Sequence, residues 1–327
     1  MANAEQIKAL IRSHAEGDDT RFYAIAMQMA ALAAKKGQGK LAQELRGLVD
    51  DLRIRPAPSL RKPVPVASPR GELAGLLSVG YPKTGFADIV LDSPVRKRIE
   101  RVLLEQQQRN LIREHGLSPM RKLLLVGPPG TGKTMTASVL ATELSLPLFS
   151  IQLDGLITKF LGETAAKLRL IFDAILNTRG VYFFDELDAL GAERASKNDV
   201  GEIRRVLNSL LQFLESESSD SLIVGATNHS RLLDRALFRR FDAVIEYCLP
   251  SKEIAEEIMR SRLALLNTSA VEWKAVSKAS ESLSHAEIVQ ACEQAAKDAI
   301  LKESLSIDTE SLESALDERR AAHGDRT

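Results

Sequence analysis

Phosphate chemistry is written into two short stretches of this chain. The first, Gly127-Pro128-Pro129-Gly130-Thr131-Gly132-Lys133-Thr134, fits the pattern G-x-x-x-x-G-K-[ST]. Glycines at these positions let the backbone curl until successive N–H groups point inward at a chain of phosphates. Lys133 can then reach the β- and γ-phosphates of a nucleoside triphosphate, and the Thr134 hydroxyl can hold Mg²⁺. An ordinary glycine turn gives no reason for a lysine at that place. The second stretch, Val181-Tyr182-Phe183-Phe184-Asp185-Glu186, is an apolar run ending in two carboxylates. A buried strand fixes its last residues at the carboxyl edge of a sheet, where ligands bind in open α/β folds. There Asp185 is placed to hold Mg²⁺ through water and Glu186 to polarise an attacking water. By itself a strand ending in Asp-Glu is often only the start of a solvated loop; the phosphate loop upstream is what gives it meaning.

The elements needed to position these residues are legible around them. Lys122 to Val126 reads as a buried strand entering the loop, and Met135 to Leu144 as a helix leaving it, whose amino end adds positive dipole at the phosphates. Further strands are expected at Leu148–Gln152, Gly180–Phe184, Ser221–Ala226 and Val244–Tyr247, separated by helical patterns. That alternation specifies an α/β class: a mostly parallel sheet of the phosphate-loop type with helices on both faces, over residues 80–249. After Pro250 the strands are expected to stop, and Lys252–Leu266, Trp273–Ser280, Ala286–Leu305 and Thr309–Ala321 read as a helical lid over 250–327. Residues 1–54 read as a small three-helix bundle. Residues 55–79, which hold five of the chain's twelve prolines, read as an extended, semi-stiff linker.

Composition narrows the function classes. The 327 residues contain 44 Lys and Arg against 44 Asp and Glu, so no overall charge favours nucleic acid or an acidic membrane. No apolar run approaches a membrane span, and the amino terminus lacks a secretory h-region, from which a cytoplasmic protein is expected. Cys248 and Cys292 form no C-x-x-C pair, so both read as small buried hydrophobes rather than a disulfide scaffold.

In this order the motifs resemble the AAA family of ATPases over roughly residues 80 to 305. Ile223-Val224-Gly225-Ala226-Thr227-Asn228 resembles the family's strand carrying a polar sensor, which implies that Asn228 lies near the γ-phosphate and the attacking water. Leu233-Asp234-Arg235-Ala236-Leu237-Phe238-Arg239-Arg240-Phe241-Asp242 resembles the second region of homology. The resemblance implies that Arg239 and Arg240 reach as fingers into a neighbouring subunit's ATP site, and that the assembly is a homo-oligomer, a ring of six. A guanidinium fork suits the charge spread over γ-phosphoryl oxygens. The alternative is a basic helix end pairing with Asp242 or Asp234. Lys159-Phe160-Leu161-Gly162 is similar to the family's first pore loop, which implies that an exposed aromatic grips an extended polypeptide; the alternative is Phe160 as a core residue.

The lid departs from the family. The family usually has Ser-Gly-Ala-Asp opening the helix beside the adenine and ribose, whereas this chain has Ser284-His285-Ala286-Glu287. Ser284 and Glu287 have capping-box spacing, and His285 is either a nucleotide contact or a partly exposed helix start. Asp88-Ile89-Val90-Leu91 sits where the family cups the adenine but lacks its glycine pair.

ATP with Mg²⁺ is the expected ligand set, and hydrolysis to ADP and phosphate the expected reaction. The resemblance implies a remodeller that threads protein clients through a pore, with residues 1–54 choosing the client or an adaptor. The alternative is a nucleotide-gated regulator of a separately encoded partner, such as a subtilisin-like protease, without threading. A DNA-loading role fits the neutral charge poorly, so no nucleic-acid partner is expected.

Overall fold

A computed structural model of the chain describes residues 69, 71–153, 156, 163–190, 200–229, 231 and 235–324. The three-helix bundle expected over 1–54 and the pore loop at Lys159, Phe160 and Leu161 lie outside the described residues, as does most of the expected linker. Within the described end of that stretch a 3₁₀ turn at Gly71–Gly75 leads into β1, Leu77–Gly80.

The remaining elements of the large layer are α1 (Ser93–Gln107), α2 (Arg109–Glu114), β2 (Lys122–Val126), α3 (Lys133–Leu144), β3 (Leu148–Ile151), α4 (Glu163–Asn177), β4 (Val181–Phe184), a 3₁₀ turn (Leu187–Leu190), α5 (Val200–Ser216), β5 (Leu222–Thr227), α6 (Arg235–Phe238) and β6 (Ala243–Glu246). The strands form one sheet in the order β1-β3-β4-β5-β2-β6. All neighbours are parallel except β1, which runs antiparallel to β3 at one edge. β2, β4 and β5 are buried at every position, as strands covered on both faces must be.

The period-two geometry of a strand divides these apolar runs between two cores. Leu124, Val126, Tyr182, Phe184 and Ile223 join one face with residues of α4 and α5. Leu123, Leu125, Val181, Phe183, Leu222 and Val224 join the other with residues of α1 and α3. Phe149 and Tyr182 stack with ring centroids 4.6 Å apart. The Tyr182 hydroxyl donates to the Ala174 and Thr178 carbonyls, each at 2.9 Å, and so closes the carboxyl end of α4.

After Pro250 the chain builds a third core from α7 (Lys252–Arg262), α8 (Trp273–Ala279), α9 (His285–Leu301) and α10 (Thr309–Gly324). The strands do not stop there. β7 (Asn267–Ala270) and β8 (Ser306–Asp308) pair in parallel as a separate ribbon, and α9 ends at Leu301 rather than at Leu305. Polar Asn267-Thr268-Ser269 gives no apolar alternation from which β7 could be read. Of the two cysteines, Cys292 is buried as expected, but Cys248 is exposed just beyond β6.

Candidate nucleotide site

The phosphate loop leaves the carboxyl end of β2 and enters α3. Two glycines are required there by space and backbone angle. A Cβ at Gly127 would stand 2.3 Å from the Tyr247 carbonyl oxygen, and one at Gly130, whose φ is +73°, would stand 2.6 Å from Ser284 Oγ. The loop is braced from within. The Thr131 hydroxyl donates to the Pro128 carbonyl at 2.8 Å, and the Thr136 hydroxyl to the Gly132 carbonyl at 3.0 Å. The helix begins at Lys133, two residues before the expected Met135.

Lys133 is buried, and its ammonium group donates to the Gly127 and Pro128 carbonyls, both at 2.7 Å. Burial holds its pKa below the usual lysine value, while the carboxylates of Asp185 and Asp188 pull the other way. The loop thus cradles its own cation at the place where phosphates would stand.

β4, β5 and β2 are neighbours, so their carboxyl ends bring the separate motifs to one edge. The Thr134 hydroxyl donates to Asp185 Oδ2 at 3.2 Å, linking two motifs far apart in sequence. Two hard oxygen donors side by side suit Mg²⁺, which takes one or two protein oxygens and keeps several waters. Glu186 is exposed at the strand end with φ +52°, a left-handed angle that costs a non-glycine residue about 1 kcal/mol or more. Its N–H donates to Asp185 Oδ1 at 3.0 Å, so the turn is held by the neighbouring carboxylate.

Asp188 is the residue the sequence reading missed. Its Oδ1 accepts from the Thr227 hydroxyl at 2.9 Å and from the Asn228 N–H at 3.2 Å, which fixes the end of β5 and the backbone of Asn228. The only sequence signal was a further acid just past the Asp-Glu pair. Asn228 is half-buried at the same edge.

The lid meets the loop directly. Ser284 caps α9 and forms the expected capping box with Glu287. The Ala286 N–H donates to the Gly130 carbonyl at 3.0 Å. His285 is the first residue of α9 and is partly exposed, yet both of its ring nitrogens are buried with no hydrogen-bond partner among the described residues, and burial holds its pKa below the usual histidine value against the opposing pull of Asp92. The 88–91 segment bridges the cores. Ile89 and Leu91 join the α1–α3 core, Val90 packs on the lid core, and Ile89 Cδ1 lies 3.6 Å from a Cβ placed on Gly132.

Arg239 and Arg240 are not part of this edge. They precede β6, and the Asp242 N–H donates to the Lys122 carbonyl at 2.8 Å, at the start of β2. The phosphate loop leaves the other end of that strand, about 13 Å away at about 3.3 Å per residue. The pairing of these arginines with Asp242 considered above is not made by Arg240. Asp242 Oδ2 accepts from the Arg121 and Lys122 N–H groups at 2.8 and 2.9 Å, and Arg240 instead pairs with Glu215 at 2.9 Å. Arg239 is exposed, and Asp234 lies outside the described residues.

Comparison with known proteins agrees with this architecture. The family model described as "ATPase family associated with various cellular activities (AAA)" matches residues 123–249. An uncharacterized AAA family ATPase of Sinorhizobium fredii, y4kL, is 34% identical over 328 residues, 99% of this chain and 98% of that protein. The chain belongs to the AAA family of ATPases. As a member it is a nucleotide-binding hydrolase that turns over ATP. Proteasome-activating nucleotidases are also similar. That of Methanospirillum hungatei is 33% identical over 258 residues, 76% of this chain and 63% of the nucleotidase. That of Sulfurisphaera tokodaii is 34% identical over 223 residues, 65% of this chain and 57% of the nucleotidase. The chain therefore spans about six tenths of the length of these nucleotidases. The crystal structure of the FIGL-1 AAA domain shares the fold, with a TM-score of 0.58 at 24% identity over 76% of this chain and 90% of that one. Among the described residues no helix is long and apolar enough to cross a membrane.

Proposed function

We propose that this AAA ATPase works as a ring, hexameric by family precedent, in which ATP held by one copy is cleaved with help from the next and the resulting motion remodels protein clients. The observation that carries the reading is the separation of Arg239 and Arg240 from their own phosphate loop by the length of β2. Arginines so placed cannot serve the site of their own chain, but an adjacent copy can receive them.

In this reading Gly127, Pro128, Pro129, Gly130, Thr131, Gly132, Lys133 and Thr134 bind the triphosphate, with Lys133 exchanging its loop carbonyls for phosphate oxygens. Thr134 and Asp185 would hold Mg²⁺, which would supply positive charge against the phosphates. Glu186 takes up a proton from the attacking water as its oxygen bonds to the γ-phosphorus and the bond to ADP breaks. Asn228, fixed through Asp188, orients that water. Arg239 and Arg240 of the adjacent copy balance the charge developing on the γ-phosphoryl oxygens. His285 lines the nucleotide side of the lid.

A protein client is supported by the Lys159-Phe160-Leu161 motif and by similarity to relatives whose name is proteasome-activating nucleotidase. Residues 1–54 would select the client or an adaptor, the large layer over 80–249 would perform the chemistry, and 250–327 would act as the lid. Phe160→Ala tests threading. We expect basal ATP hydrolysis to stay within about twofold of the parent while ATP-driven unfolding of a fluorescent client is lost. Full client unfolding by this variant would refute the pore reading.

A further inference from the structure

The strap that carries the chain from the large layer to the lid begins at Tyr247, directly after β6. It runs through Cys248, Leu249 and Pro250 to Ser251, which caps α7 by accepting from the Ile254 N–H at 3.3 Å. Tyr247 reaches the phosphate loop at both of its ends. Its N–H donates to the Val126 carbonyl at 2.7 Å, one residue before the loop. Its carbonyl oxygen and Cβ press on Gly127, where an added Cβ would stand 2.3 and 2.8 Å from them. The side chain is buried in the core that α1 and α3 share with the sheet. From there the hydroxyl meets that of Thr136, in the first turn of α3, with the two oxygens buried and 2.7 Å apart.

The direction of that hydrogen bond follows from what else Thr136 does. A hydroxyl has one hydrogen to give and two lone pairs with which to accept. The Thr136 hydrogen is taken by the Gly132 carbonyl at 3.0 Å, so in the pair Tyr247 donates and Thr136 accepts. Burial pushes the Tyr247 hydroxyl up to about 12, with the Thr136 contact pulling the other way, so it keeps its proton at neutral pH. The result is a chain with one direction, from the Tyr247 hydroxyl to Thr136 and from the Thr136 hydroxyl to the Gly132 oxygen. Hydrogen bonds linked in this way polarise and strengthen one another. Gly132, at φ +97°, immediately precedes Lys133, and its carbonyl also accepts from the Thr136 N–H at 2.9 Å. Two apolar side chains would fill the same space with no polar group to satisfy. A phenol and a threonine buried here have to find each other.

We propose that Tyr247 is a positioning residue for ATP binding and hydrolysis: its backbone holds Gly127 and its hydroxyl, through Thr136, holds Gly132, so that both ends of the loop keep the curvature that aims its N–H groups at the phosphates. Tyr247 acts on the nucleotide only through these residues. Because it stands where the chain departs for the lid, the loop and the lid strap share one anchor. The lid meets the loop a second time where the Ala286 N–H donates to the Gly130 carbonyl. The inference rests on the loop being the phosphate site and is independent of the ring and of any client.

The test compares Tyr247→Phe, Thr136→Val, the two combined, and Thr136→Ser in the full chain. The readouts are steady-state ATPase kinetics and displacement of a fluorescent ATP analogue by ATP or by inorganic tripolyphosphate. Tyr247→Phe removes one oxygen and should raise KM about three- to tenfold, the worth of one buried hydrogen bond, with kcat within about twofold of the parent. Tripolyphosphate should weaken by the same factor as ATP, because the defect lies at the phosphates. Thr136→Val strands the Tyr247 hydroxyl without an acceptor and should weaken ATP binding further, about tenfold or more. Adding Tyr247→Phe removes the stranded group, so the double variant should bind ATP more tightly than Thr136→Val alone. Thr136→Ser keeps the hydroxyl and should stay within about twofold of the parent. A Tyr247→Phe chain that unfolds at lower urea yet keeps the parent's KM and tripolyphosphate affinity would make Tyr247 a packing residue and overturn the inference. A double variant no better than Thr136→Val would overturn it too. Should Tyr247→Phe lose its fold by circular dichroism, the contrast between Thr136→Val and Thr136→Ser decides, and equal affinities there would overturn the inference. A parent that binds neither ATP nor tripolyphosphate would overturn the phosphate-loop reading itself.

Discussion

At its carboxyl edge the parallel sheet gives way to backbone, and at its amino edge to side chains. The carboxyl edge is made of glycines with no room for a Cβ, a glutamate held at φ +52°, and a lysine stowed against carbonyls of its own loop. The amino edge is made of arginines placed by carboxylates: Arg121 on Glu217 at 2.6 Å, Arg240 on Glu215, and three more around Asp220. Backbone N–H groups and fixed angles suit a ligand whose shape never varies. Long charged side chains suit a surface that has to meet another macromolecule. One sheet thus carries a fixed backbone cradle at one edge and a charged surface at the other.

The contrast is broken most decisively by exchanging functions across it. Arg239→Ala and Arg240→Ala are each expected to lower kcat by about 10³–10⁵-fold while leaving binding of a fluorescent ATP analogue in place. Lys133→Ala should lose that binding. Mixed with either arginine variant, it should regain part of the ATPase rate, since an intact loop in one chain then meets intact arginines in another. Mixtures with no recovery would mean that the amino edge acts within its own chain.

Glu186→Gln addresses the carboxyl edge alone. Removing one proton acceptor should slow hydrolysis about 10²–10⁴-fold with ATP affinity maintained, read by single-turnover kinetics. Unchanged turnover would take the proton-accepting role away from Glu186.

Gly130→Ala probes how tightly loop and lid are joined. The added methyl would meet Ser284 on a backbone at positive φ, so a loss of about 1–3 kcal/mol is expected in urea unfolding, together with weaker nucleotide binding.

The smallest effect concerns His285. Its folded pKa lies below the ordinary 6.5, so the unfolded chain binds more protons in the window below that value. Stability therefore rises with pH through this window and falls as the solution is acidified below about 6.5. The difference in unfolding free energy between parent and His285→Ala should grow in the variant's favour from pH 7 to pH 5. A difference independent of pH would show that the ring titrates freely.

Much of this was legible beforehand because it is local. The phosphate loop is contiguous, and the strands beside it read as continuous apolar runs because both of their faces are covered. What escaped was either weakly patterned or long-range. β1 is a four-residue strand inside a stretch whose prolines suggested a linker, and β7 reads Asn-Thr-Ser-Ala with no apolar alternation. The partner of Arg240 is Glu215, a residue on another element that no spacing rule identifies. Asp188 lies within sight of the Asp-Glu pair, but its role follows only from β5 ending beside it.

The stowed amine of Lys133 turns nucleotide uptake into a substitution. An arriving phosphate group does not settle beside a waiting cation; it has to outbid two carbonyl oxygens that already hold that cation at 2.7 Å. Affinity is therefore a difference between two sets of contacts, and it should climb steeply with the number of phosphates available to compete. A nucleoside monophosphate offers fewer oxygens to draw the amine out, so it is expected to bind more weakly than a triphosphate.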